Sequence, residues 1–153
     1  MQIRRVSFCA VGKDTIATNL VIVIPDATLY HFGVLTSNVH MAWMRAVCGR
    51  LKSDYRYSKD VVYNNFPWPT PTEEQKAKIE QTAQAILDAR ALYPDCSLAD
   101  LYDEVTMPPE LRKAHQANDK AVMQAYGFWG KLNTETACVA ELMKMYQSLT
   151  ENE

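Results

Sequence analysis

Pro67, Pro69 and Pro71 place three prolines within five residues and divide the chain. Proline has no N–H to give a helix or strand, and it fixes its own φ. No regular element therefore runs through Asn64-Asn65-Phe66-Pro67-Trp68-Pro69-Thr70-Pro71. The text differs on the two sides of this break. Residues 1–69 read as mixed β and α, and residues 70–153 read as helix. The expected fold class is α+β: a small antiparallel sheet with one helix, then a mostly helical bundle of about four helices.

The elements of the first part follow local propensity. Ile3 to Val11 is rich in strand formers, Gly12-Lys13-Asp14-Thr15 is a turn, and Asn19 to Ile24 reads as a second strand. After the Pro25-Asp26 turn, Thr28 to Val34 reads as a third. Thr36 or Ser37 caps a helix from about Asn38 to Arg50. Its apolar stripe is Val39, Ala42, Trp43, Ala46 and Val47, with His40, Met44 and Arg45 on other faces. Val61-Val62-Tyr63 reads as a short strand.

The second part is punctuated more sharply. Thr72-Glu73-Glu74-Gln75 is a capping box that opens a helix to about Leu92, ahead of Pro94. Ser97-Leu98-Ala99-Asp100 opens a short helix through Glu104. Pro108 and Pro109 suit the first turn of the next, which runs to Tyr126 and stops at Gly127. Asn133 or Thr134 caps the last, whose stripe is Val139, Leu142, Met143, Tyr146 and Leu149. Phe66 and Trp68 are expected to be buried between the two parts.

Composition excludes several classes. Hydrophobic residues are 48% of the 153, enough apolar surface to offset the entropy of folding. The longest aliphatic run, Leu20 to Ile24, is far short of the roughly 20 residues of a membrane span. The apolar stretch after Arg4-Arg5 ends too early for a signal core, so a cytoplasmic location is expected. Cys9, Cys48, Cys96 and Cys138 show no metal or redox spacing and are read as buried free thiols. Charge is uneven: residues 1–69 carry +4 and residues 70–153 carry −6. A basic first part can face a polyanion, or it can be ordinary scatter.

No catalytic constellation stands out. The chain has five glycines and no phosphate-binding Gly-rich loop or nucleophile elbow. His115 and Asp119 sit four apart on a predicted helix, as a polar contact or a general base. His31 and His40 read as structural. Asn64-Asn65-Phe66-Pro67 superficially resembles the Asn-Pro-Pro-aromatic loop of amino-methyltransferases, but its proline follows the aromatic. It reads as a packed linker.

The stretch from Arg45 to Tyr57 is the most suggestive. Arg45, Arg50, Lys52 and Arg56 interleave with Tyr55 and Tyr57. Basic residues on one surface can hold phosphates. Lys52 and Asp54, two apart in a strand-like segment, point the same way. Lysine can donate to the acceptor edge of guanine, and aspartate can accept from the cytosine amino group. A surface ion pair is the plain alternative.

Gly49-Arg50-Leu51-Lys52-Ser53-Asp54-Tyr55-Arg56-Tyr57-Ser58 and Val62-Tyr63-Asn64-Asn65-Phe66-Pro67-Trp68-Pro69 resemble the MmeI-like restriction–modification enzymes and related class I adenine-specific DNA methyltransferases. So do the run from Phe32 to Arg45 and, in the second part, Ser97 to Asp103 and Met107 to His115. The resemblance implies that residues 1–69 are the C-terminal portion of a DNA target-recognition domain and residues 70–153 a C-terminal helical domain. It implies base reading by Lys52 and Asp54, with guanine favoured on the contacted strand. Arg45, Arg50 and Arg56 are then expected on the DNA backbone. Catalytic, metal and cofactor residues are expected to be absent here, with S-adenosylmethionine held by the parent enzyme. The implied partners are double-stranded DNA and an upstream methyltransferase domain, in the same or a separate chain. Self-association of the fragment is a further expectation. An assembly module docking on a separate catalytic chain is the alternative function, and a small enzyme using His115 and Asp119 is a third.

Overall fold

The computed structural model describes residues 7–17, 21–51 and 54–152. Its helices are α1 (Leu29–Leu35), α2 (Asn38–Val47), α3 (Glu73–Ala91), α4 (Leu98–Leu101), α5 (Pro109–Tyr126) and α6 (Glu135–Glu151). A π-helical turn spans Lys59–Tyr63. The strands among the described residues are β1 (Gly49–Leu51) and β2 (Asp54–Arg56), an antiparallel hairpin that pairs Gly49 with Arg56, Arg50 with Tyr55 and Leu51 with Asp54.

The architecture is helical, which overturns the α+β expectation. The described residues of the first two expected strands, 7–11 and 21–24, carry no strand, and residues 3–6, 19 and 20 lie outside the described residues. The third expected strand is α1, and Val61–Tyr63 closes the π turn. In both places a short apolar run carries no period that separates strand from helix, and local capping with distant packing decides for helix. At α1, His31 Nδ1 accepts the Thr28 N–H at 3.1 Å. Gly33 then brings α1 against α3 so closely that a Cβ there would lie 2.7 Å from Ile79 Cγ2. At the π turn, Ser58 Oγ accepts the Val61 N–H at 3.4 Å, and Asn64 N–H reaches the Lys59 carbonyl at 2.9 Å.

The helices after the prolines follow their caps. Thr72 and Gln75 close the expected capping box at the start of α3. Pro109 opens α5, and Gly127 ends it with φ 75. Thr134 Oγ1 caps α6 at the Ala137 N–H. Along α6 only part of the expected stripe is inside: Leu142 is buried, while Leu149 is exposed.

The core crosses the proline break. α3 packs on α5, α1 packs on α3, and α2 packs on α6. Val34, Trp43, Val62 and Phe66 from before the break share one cluster with Ile79, Val122 and Leu142 from after it. Phe32 joins a second cluster with Ile86, Leu101 and Leu111. Each such side chain, fully buried, contributes about 1.5–3 kcal/mol. A buried amide is paired across the same seam. Asn118 donates to the Gly33 carbonyl at 2.8 Å and accepts from Thr82 Oγ1 at 2.9 Å.

α2 is the centre of this arrangement. Val39, Ala42 and Trp43 are buried as expected, but so are His40, Met41 and Met44. Ala46 is exposed and Val47 half-buried. A helix buried on most of its circumference is a structural platform rather than a surface helix.

Candidate nucleic-acid interface

The hairpin leaves the C-terminal end of α2 directly. The Cys48 N–H bonds the Met44 carbonyl at 2.9 Å, and the chain turns into β1 at Gly49. Arg50 lies in β1 opposite Tyr55, Asp54 opens β2 opposite Leu51, and Arg56 closes β2 opposite Gly49. Lys52 lies between the strands in sequence and outside the described residues. The backbone register thus gathers Arg50, Asp54 and Arg56 into one hairpin. Two strands of three residues are marginal alone, so the hairpin needs support from outside itself.

Support comes from the return path. Tyr57 follows β2, and its hydroxyl lies 2.9 Å from Nε2 of His40 on α2. Burial pushes the Tyr57 phenol up and the His40 imidazole down to about 3, so both stay neutral near pH 7. Phe66 stands edge-on to His40 at 4.4 Å, and Phe8 contacts the rings of His40 and Tyr57. The π turn is then tied back to α2, because Trp43 Nε1 donates to the Val62 carbonyl at 3.0 Å. The linker is tied to α5 by the Tyr126 hydroxyl, which donates to the Pro67 carbonyl at 2.6 Å. Trp68 is half-buried among Tyr30, His31, Tyr63 and Phe66.

Arg45, near the end of α2, already has a partner. Its Nε and Nη2 donate to the two carboxylate oxygens of Glu135 at 2.7 and 2.9 Å. This fork joins α2 to the start of α6. Sequence reasoning did not find Glu135, because the pair is 90 residues apart.

The remaining sequence candidates serve the fold. His115 is buried with Nε2 2.6 Å from the Tyr102 hydroxyl, which also accepts from Arg90 Nε and Nη2. Arg90 in turn donates to the Phe8 carbonyl at 2.7 Å, holding that residue to α3. Asp119 accepts the first N–H of α2, from Asn38, at 2.9 Å. No group of three His, Cys, Asp or Glu able to hold a metal gathers among the described residues. Of the four thiols, Cys138 is buried, while Cys9 and Cys96 are exposed. No helix among the described residues is long and apolar enough to cross a membrane.

Known proteins give this geometry a context. The family model described as "MmeI, target recognition domain" matches residues 5–70, and that described as "MmeI, C-terminal domain" matches residues 71–152. DNA methyltransferase A of Bacillus subtilis (strain 168) is 44% identical over 140 residues, which are 92% of this chain and 16% of that protein. The structure of the Type IIL restriction–modification enzyme MmeI in complex with DNA is 55% identical, with a TM-score of 0.79 over 84% of this chain and 17% of that one. The chain therefore spans about one sixth of the length of these relatives.

Proposed function

Because the chain belongs to the MmeI family, with the target recognition and C-terminal domains of that family matched in turn, we propose that it is the part of a restriction–modification methyltransferase that reads duplex DNA. The observation that carries this reading is the 49–56 hairpin. It brings two arginines and Asp54 together on an anchored loop, in a chain 55% identical to an enzyme solved with DNA. Lys52 and Asp54 are the proposed base readers, lysine toward guanine and aspartate toward the cytosine amino group. Arg50 and Arg56 hold phosphates and fix register. Arg45, forked to Glu135, braces α2 against α6 beside them.

Methyl transfer to adenine, with S-adenosylmethionine supplying the methyl group, belongs on this reading to another part of a longer protein. The one loop here that resembles a methyltransferase motif does not fit that chemistry. Asn65 Nδ2 is spent on the Asp60 and Val61 carbonyls, and Phe66 is sealed in the core. No step of the reaction is assigned to this chain.

The methyltransferase part is also the proposed cover for an apolar stretch near the start of the chain. Val11, Ile16, Val21 and Val23 are 60, 94, 57 and 52% exposed. Apolar residues this open in one segment mark a contact surface.

Fluorescence anisotropy with short duplexes at several salt concentrations tests the reading. Binding that weakens with salt, with base preference moved by a Lys52→Glu/Asp54→Arg double swap, supports it. Binding unchanged by the swap overturns base reading by this pair. No binding at low salt overturns recognition by this chain on its own.

A further inference from the structure

We propose that His40 and Tyr57 are positioning residues for the hairpin: their hydrogen bond fixes where β1 and β2 stand, and so sets base preference without touching DNA. The inference rests on the DNA-reading function above and adds to it a histidine that the sequence alone reads as structural.

The geometry is that of a clasp across the foot of the hairpin. One strand starts two residues after α2 ends, and the other ends one residue before Tyr57. The 2.9 Å contact from Tyr57 Oη to His40 Nε2 joins that return strand to α2 itself. Strands of three residues reach about 10 Å, at about 3.3 Å per residue. A swing of roughly 10° at the foot would move the far strand ends, Leu51 and Asp54, by about 2 Å, against a tolerance of about 0.5 Å for a binding constellation. Small freedom at the foot therefore erases discrimination at the far end of the strands.

The choice of histidine is costly for stability alone. His40 is fully buried against the rings of Phe66 and Phe8, and its Nδ1 has no hydrogen-bond partner among the described residues. An apolar residue would fill this place without an orphaned ring nitrogen. What histidine adds is direction, since a hydrogen bond fixes the height and rotation of the phenol where apolar contacts allow sliding. A bare ring nitrogen is a smaller penalty than a buried orphan N–H. Nε2 therefore carries the proton and donates to Tyr57 Oη. A glutamine amide at position 40 keeps a donor at about that reach, whereas leucine fills the space and keeps none.

Hydrogen exchange of residues 49–56 in the full chain, read beside duplex anisotropy, tests the proposal. Tyr57→Phe and His40→Leu should speed hairpin exchange by about tenfold and leave α3 and α5 unchanged. They should also cut the ratio between preferred and disfavoured base pairs by about threefold or more, with the salt slope of binding unchanged. His40→Gln should stay near the native chain in both. Native exchange in the hairpin of Tyr57→Phe overturns the proposal. So does faster exchange spread equally over α3 and α5, the mark of a merely structural role, or a loosened hairpin with full base preference. A native chain with no base preference at all overturns the DNA-reading function instead, and hairpin exchange then decides the clasp alone.

Discussion

Asn118 on α5 donates Nδ2–H to the carbonyl of Gly33 on α1, at 2.8 Å and fully buried. The bond lies where α1 approaches α3 without a side chain between them, so one residue sets the spacing and the other satisfies the carbonyl. Gly33→Ala would press a methyl group onto Ile79, Asn118 and Ala83 and should cost about 1–3 kcal/mol by overpacking. Asn118→Ala should cost a similar amount, about 1–3 kcal/mol, by orphaning the Gly33 carbonyl. Urea unfolding reads both, and a cost near zero for either would show that α1 can lift from α3.

Acid should weaken the fold through His40. Its folded value of about 3 lies below the unfolded 6.5, so on acidification the unfolded chain takes the proton first. The stabilisation is complete above about pH 6.5 and declines by about 1.4 kcal/mol per pH unit below it, until the folded ring titrates. Urea midpoints of the native chain should therefore fall relative to those of His40→Gln between pH 7 and 4.5. A constant gap between the two would mean that His40 is not held neutral by burial.

The arginines should separate by their partners. Arg50→Ala and Arg56→Ala are each expected to reduce the salt slope of duplex binding by about one. Arg45→Ala should change the slope less and lower stability by about 1 kcal/mol, because its fork to half-exposed Glu135 ties α2 to α6. Salt titrations and urea melts of the three variants check this. An equal loss of slope in all three would place Arg45 on phosphate.

Gly127→Ala isolates a backbone effect. The residue ends α5 at φ 75, and nothing lies within 4 Å of the position a Cβ would take. The cost should therefore be conformational only, about 1 kcal/mol. A thermal melt a few degrees lower, with unchanged duplex binding, is the expected result.

Where signals are local, the sequence can be read directly. Thr72 with Gln75, Pro109, Gly127 and Thr134 mark the limits of their helices within a few neighbours. α1 was not legible in that way. Tyr30, Phe32 and Val34 favour a strand, and what turns them into helix is burial of Gly33 against Ile79 and Ala83, nearly fifty residues away. His40 was missed for a related reason. A single histidine carries no spacing, and the available clue was that Met41 and Met44 leave α2 no polar face. Lys52 and Asp54 are candidates from strand-like spacing first and family resemblance second. The register then shows that the alternation expected of one strand does not run through them, since Asp54 opens β2 and Leu51 closes β1.

The shared core has a consequence for hybrids. Val34, Trp43 and Phe66 interlock with Ile79, Val122 and Leu142, so a chimera joined at the prolines would mate two surfaces that never met. Crossovers at Cys48 and Tyr57 would transplant only the hairpin. Those two points, one at each foot, are the seams along which a recognition loop can be exchanged between relatives while the scaffold stays intact.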